Sequence, residues 1–157
     1  MAAAKTRDRS AARLAAVQAL YQMDIVATPL PTILAEFENH WIGQQVEGDQ
    51  YRKAEAAFFR DIVTGIVREQ RAIDPLVDEV LSENWPLKRV EAILRAVLRA
   101  GAYELSHRPD VPARVVINEY VDVAAAFLDQ EETGMVNAVL DKLARRTRAA
   151  EFQAPEE

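Results

Sequence analysis

The sequence predicts an all-α chain of about seven helices, and three observations carry that reading. Alanine, leucine, glutamate and arginine dominate while only five glycines are present, which is the usage of helices rather than of sandwiches or barrels. Apolar residues recur every three or four positions through most of the chain, the period of one helix face. Prolines stand where those periodic runs stop. With 157 residues, half of them hydrophobic, the chain is long enough for one domain or for two small subdomains that share a core.

Residues 7–26 read as the first helix, with Leu14, Val17, Leu20 or Tyr21, and Ile25 on one face. It stops near Thr28, because Pro29 and Pro31 bias their predecessors away from the α region. A second helix, 32–46, carries Ile33, Leu34, Phe37, Trp41 and Ile42 on one side and ends toward Gly48 and Asp49. The third, 51–71, repeats Phe58/Phe59, Ile62/Val63 and Ile66/Val67 at four-residue spacing, a stripe wide enough for central core. Pro75 interrupts it, and Asp74 as N-cap with Pro75 at the first helical position predicts a separate short helix over 75–82. Asn84-Trp85-Pro86 is the best internal boundary, dividing 1–84 from 85–149. Beyond it Val90, Ile93/Leu94, Val97/Leu98, Gly101/Ala102 and Leu105 form a long helix in which Gly101 marks a close helix crossing. Pro109 and Pro112 end it. The next helix, 112–128, carries Val116, Ile117, Tyr120, Val121, Ala124 and Phe127/Leu128, and the last, 132–148, carries Val136, Val139/Leu140 and Leu143. Residues 150–157 are polar, contain Pro155 and are expected to fray as a flexible tail. No repeat or heptad array appears, which leaves a compact bundle.

The absence of cysteine removes disulfides, thiol nucleophiles and cysteine-ligated zinc, and it fits a reducing, cytoplasmic compartment. No apolar run serves as a secretory signal core or approaches the roughly 20 residues of a membrane span, so no membrane partner is expected. There is no glycine-rich phosphate loop, no GxSxG elbow and no HExxH pair. His40 and His107 have no partners at ligand spacing, so neither a metal nor another cofactor is indicated, and no catalytic residue is assigned.

A net charge of −6 argues against general polyanion binding, but the charge is unevenly spread. Lys5, Arg7, Arg9 and Arg13 face only Asp8 in the first twenty residues, whereas residues 28–87 hold eleven carboxylates against five cations. Residues 88–114 hold six cations against three acids, and residues 141–148 hold four against one. Three basic segments bracket an acidic one. On a helix Lys5, Arg9 and Arg13 share a face, which suits phosphates, and arginine adds bidentate hydrogen bonding and stacking on bases. Two readings stay open here: a solvated helix start, or a segment that contacts RNA. Cations at a helix N-terminus oppose its macrodipole, so helix stability does not account for them. Tyr21, two turns beyond Arg13, is either a core tyrosine or a stacking platform for an unpaired base, and periodicity does not decide between them.

Three stretches together resemble the bacterial transcription antitermination factor family NusB: Arg13 to Gln22 (RLAAVQALYQ), Glu91 to Pro112 (EAILRAVLRAGAYELSHRPDVP), and Val116 to Asp141 (VINEYVDVAAAF followed by MVNAVLD). They run in the family's order and span most of the chain, with FRDIVTGI at 59–66 adding to the helical pattern of the middle. The resemblance implies two packed helical-bundle subdomains and a non-enzymatic adaptor that binds the boxA element of nascent ribosomal RNA. It implies as partners the small ribosomal protein NusE and the antitermination complex of RNA polymerase; a homodimer is also compatible with it. RNA contacts are implied for Lys5, Arg7, Arg9, Arg13, Gln18, Tyr21, Phe127 and Met135, and a NusE contact for Glu91. Met135 stands where an aromatic is usual, Gly134 where a lysine is common, and the arginine run is thinned by Ser10, Ala11 and Ala12. These departures imply modest affinity for RNA alone, raised when a second protein adds contacts on the same strand. Two alternatives are a stand-alone module related to the helical domain that precedes some ribosomal RNA cytosine methyltransferases, and a purely protein-binding scaffold.

Overall fold

The computed structural model describes residues 2–43, 49–81 and 90–153, with side chains described over 9–39, 55–81 and 90–153. The described residues form α1 (Ala2–Val26), α2 (Leu30–Gly43), α3 (Asp49–Val80), α4 (Ala92–His107), α5 (Ala113–Phe127) and α6 (Gln130–Thr147), followed by a 3-10 turn at Ala149–Phe152. The boundary expected at Asn84-Trp85-Pro86 lies outside the described residues, as do the side chains of Lys5, Arg7, His40, Trp41 and Ile42.

Helix α4 is buried on all sides from Ala96 to Leu105 except at Arg99, and a helix apolar nearly all round belongs inside a bundle. Helices α1, α3, α5 and α6 pack around it, and α2 lies against α1 and α3. Apolar residues from all six helices join one continuous core. Asp24 near the end of α1 pairs with Arg95 near the start of α4, and Arg13 in the middle of α1 pairs with Glu104 near the end of α4, so α1 and α4 run antiparallel. Gly101 lets α4 and α6 approach, since a Cβ there would meet Leu140 at 2.8 Å. Gly65 does the same for α3 and α4, where a Cβ would lie 2.2 Å from the Tyr103 ring.

The third and fourth expected helices are one, because α3 continues through Pro75. An internal proline removes a backbone donor and costs about 3 kcal/mol. Ile73 and Val77 are fully buried and Leu81 nearly so, continuing the stripe of Ile62 and Ile66. Each such side chain stabilises by roughly 1.5 to 3 kcal/mol, which offsets the lost bond. Asp74, expected as a cap, is used instead by Arg99, whose Nε and Nη2 each donate to it at 2.8 Å.

Among the described residues the largest fully buried side chain is Arg13. Its Nε and Nη2 donate to the two oxygens of Glu104 at 2.8 and 3.0 Å, and its Nη1 donates to Glu119 at 3.0 Å. The hydroxyl of Tyr120 donates to Glu104, and that of Ser10 to Glu119 at 2.6 Å. Burial alone would lower the guanidinium pKa of Arg13, yet the hydrogen bond and charge of Glu104 raise it above its ordinary value. Burial and then the charge of Glu104 hold Tyr120 well above the usual tyrosine range, so it stays a donor.

The chain after α6 is anchored further than expected. Arg148 donates to the carbonyls of Glu104 and Leu105 in the last turn of α4 and of Arg108 and Val111 after it, at distances from 2.6 to 3.2 Å. Glu151 accepts from the Ala113 amide at 2.8 Å and from Arg148 at 2.6 Å, capping α5. Phe152 packs against the core, so residues 150–152, expected to fray, are held in this turn, and residues 154–157 lie outside the described residues.

Removing Arg13 leaves Glu104 buried without its counter-charge. An Arg13→Met variant is expected to lose about 3 to 5 kcal/mol of stability, and the Arg13→Met/Glu104→Met pair to lose less than the sum of the two single changes. Urea unfolding monitored by circular dichroism checks this, and a single-variant loss below about 1 kcal/mol would contradict the buried pair. Ala27 holds φ at 58°, in the left-handed region that favours glycine. Ala27→Gly should therefore raise stability by a few tenths to about 1 kcal/mol, whereas Gly65→Ala, driven into Tyr103, should lower it by roughly 1 to 3 kcal/mol.

Candidate nucleic-acid interface

Four-residue spacing does put Arg9 and Arg13 on one face of α1, but that face turns inward. Their guanidinium carbons lie 4.6 and 5.0 Å from the centre of the Phe58 ring, and Arg108 lies over the same ring at 5.0 Å. Arg13, expected among the RNA contacts, has its donors committed to Glu104 and Glu119 and is 2% exposed. The correction has a simple cause: two carboxylates from α4 and α5 converge where a phosphate was expected. Arg9 sits at the margin, with 42% of its side chain exposed and a long 3.9 Å pair to Asp110. Of Lys5 and Arg7 only the helical backbone is described.

Further along α1, Gln18 and Tyr21 face solvent, while Leu20 takes the core position that the periodicity left open. Tyr21 is 40% exposed and Phe127, at the end of α5, is 41% exposed. Ser10 and Arg13 share Glu119 as a partner, which fixes a level between α1 and α5.

Met135, in the second turn of α6, is partly buried against the core, whereas Gly134 beside it has open space around its Cα. Asp129 caps this helix, accepting from the Glu132 amide at 2.8 Å. Glu91 is exposed just before α4. Arg148 at the end of α6 binds carbonyls at the end of α4, so the two helices run the same way and Glu91 lies toward the end of the bundle where α6 begins. The expected RNA and partner contacts thus divide between a basic end, where α4 finishes, and an acidic end, where α4 and α6 begin.

Sequence reasoning missed Glu104 and Arg148. Glu104 had a signal: it is an acid inside an otherwise apolar helix run, and such an acid needs a buried cation. Arg148 had none, since nothing local tells a capping arginine from a solvated one. Among the described residues no cluster of metal-ligating side chains appears, and no helix is long and apolar enough to cross a membrane.

The NusB family model matches residues 10–145. The transcription antitermination protein NusB of Bradyrhizobium diazoefficiens is 69% identical over 94% of this chain and 90% of its own length. That of Nitrobacter hamburgensis is 67% identical over 94% of this chain and 92% of its own length. Among solved structures, T. maritima NusB superposes with a TM-score of 0.77 at 29% identity, covering 93% of this chain and 97% of its own. A complex of antitermination factors NusB and NusE with double-stranded RNA shares the fold at TM-score 0.73 and 24% identity, covering 89% of this chain and 98% of its own. The match spans every helix described above from α1 to α6, and the chain belongs to the NusB family.

Proposed function

We propose that this protein is a non-enzymatic transcription antitermination adaptor that binds boxA-type single-stranded RNA in the cytoplasm together with NusE. The observation that carries the reading is its identity of 69% across nearly its whole length to a protein bearing that antitermination name. The surface supports it. Gln18 and Tyr21 on α1 and Phe127 on α5 offer an amide and two solvent-facing rings, groups suited to stacking and hydrogen-bonding unpaired bases. Arg9 supplies charge at the neighbouring end, with Lys5 and Arg7 preceding it on the same helix. Met135 contributes apolar contact rather than stacking, and Arg13 contributes by holding α1 in place. Glu91 and the acidic start of α6 form the surface we assign to NusE. The two-subdomain division at residues 84 and 85 belongs to the same reading.

A thinned arginine run, with Arg13 of that run committed to Glu104 and Glu119, makes for weak binding alone, and a partner on the same RNA raises it. Fluorescence anisotropy with a labelled boxA RNA should show weak, salt-sensitive binding that tightens when NusE is added; unchanged affinity with NusE rules the adaptor reading out. Tyr21→Ala and Phe127→Ala should each weaken RNA binding roughly fivefold to a hundredfold, the equivalent of about 1 to 3 kcal/mol for a lost stack. Tyr21→Phe, which keeps the ring, should leave affinity near that of the unmodified protein.

A further inference from the structure

The three basic segments that are far apart in the chain meet at one end of the bundle. Arg9, from the start of α1, lies beside Asp110, which Arg108 holds through two bonds of 3.0 Å. Arg148, from the end of α6, binds the carbonyls of Arg108 and Val111, and Glu151 joins Arg148 to the first amide of α5. Next to that amide, Arg114 and Arg145 lie over one ring, Phe152, at 5.6 and 4.8 Å. Both arginines are exposed.

Their fold role is small. Arg114 occupies the first turn of α5, where the helix dipole disfavours a cation. Among the described residues no carboxylate pairs with it, whereas Arg145 has Asp141 at 2.9 Å. A guanidinium resting on an aromatic face keeps its N–H edge outward and loses little freedom on binding, and that edge matches a phosphate in geometry and charge. Phe152 thus gathers two cations at one place on the surface, where their combined charge favours an anion.

We propose that Arg114 and Arg145, aligned on Phe152, form a second RNA-contact site, one that takes backbone phosphates of single-stranded RNA beyond the bases stacked at Tyr21 and Phe127. It rests on the RNA-binding reading above and extends it around the basic end of the bundle. The site is sequence-independent, because it offers charge and no fixed edge to a base.

The test compares boxA RNA with the same RNA lengthened at either end by a run of uridines, binding the intact protein and an Arg114→Gln/Arg145→Gln variant across a salt series. Lengthening at one end should tighten binding to the unmodified protein roughly tenfold near physiological salt. The log–log salt slope should steepen by about 1.4, the value for two phosphate contacts on a single strand. The variant should bind the short RNA normally and lose the gain. Binding of the short RNA with no gain from either extension, or a gain that survives in the variant, overturns this site alone. Failure of the unmodified protein to bind the short RNA, with or without NusE, overturns the RNA reading and this site with it.

Discussion

The rest of the structure depends on the buried bond between Arg13 and Glu104. A charged pair taken out of water is expensive unless its geometry is close to ideal and its remaining lone pairs are satisfied. Here both oxygens of Glu104 accept from Arg13, Tyr120 adds a further donor, and the third arm of the guanidinium reaches Glu119. Four side chains from α1, α4 and α5 therefore have one mutually satisfying arrangement. An apolar contact in the same place would tolerate a shift of register; this one does not. The pair thereby sets the level of α1 against α4 and α5, and the exposed residues farther along α1 inherit their position from it.

Arginine does structural work throughout this bundle, and the mildly acidic total charge conceals it. Arg99 holds Asp74 and frees α3 to run through a proline. Arg148 fastens the end of α4 and the turn after it by donating to the carbonyls of Glu104, Leu105, Arg108 and Val111. Arg95 ties the start of α4 to the end of α1. With these cations occupied, those that the basic end of the bundle offers to a ligand include Arg9 at 42% exposure and Arg114 and Arg145 on Phe152. Such a surface binds a polyanion weakly and with modest salt dependence, as an adaptor acting with a second protein requires.

Much of the fold was legible in the sequence because helix formation is governed by local spacing. The runs around Phe58 to Val67, Val90 to Leu105, and Val136 to Leu143 each show a period that only a helix satisfies, and the prolines near Thr28 and Arg108 mark real ends. The close crossing at Gly101 was also readable, since a lone glycine in an apolar helix seldom has another purpose. Pro75 misled for the same local reason: its sequence neighbours favour a helix start, whereas the burial of Ile73 and Val77 against distant helices favours continuation.

The sequence by itself determined the class of the protein: its helices, their apolar faces, the absence of thiol chemistry, and a family resemblance carried by motifs in order along the chain. Only the tertiary structure decided which of two equivalent arginines is a strut and which faces solvent. Arg9 and Arg13 have the same chemistry, the same helix and the same face, and they differ only in what α4 and α5 bring to them. It likewise decided that Leu20 is core while Tyr21 is surface, and that three basic segments form one end. Burial and charge pairing are properties of distances between residues far apart in the chain, whereas spacing along the chain reports only on the turn of helix to which a residue belongs.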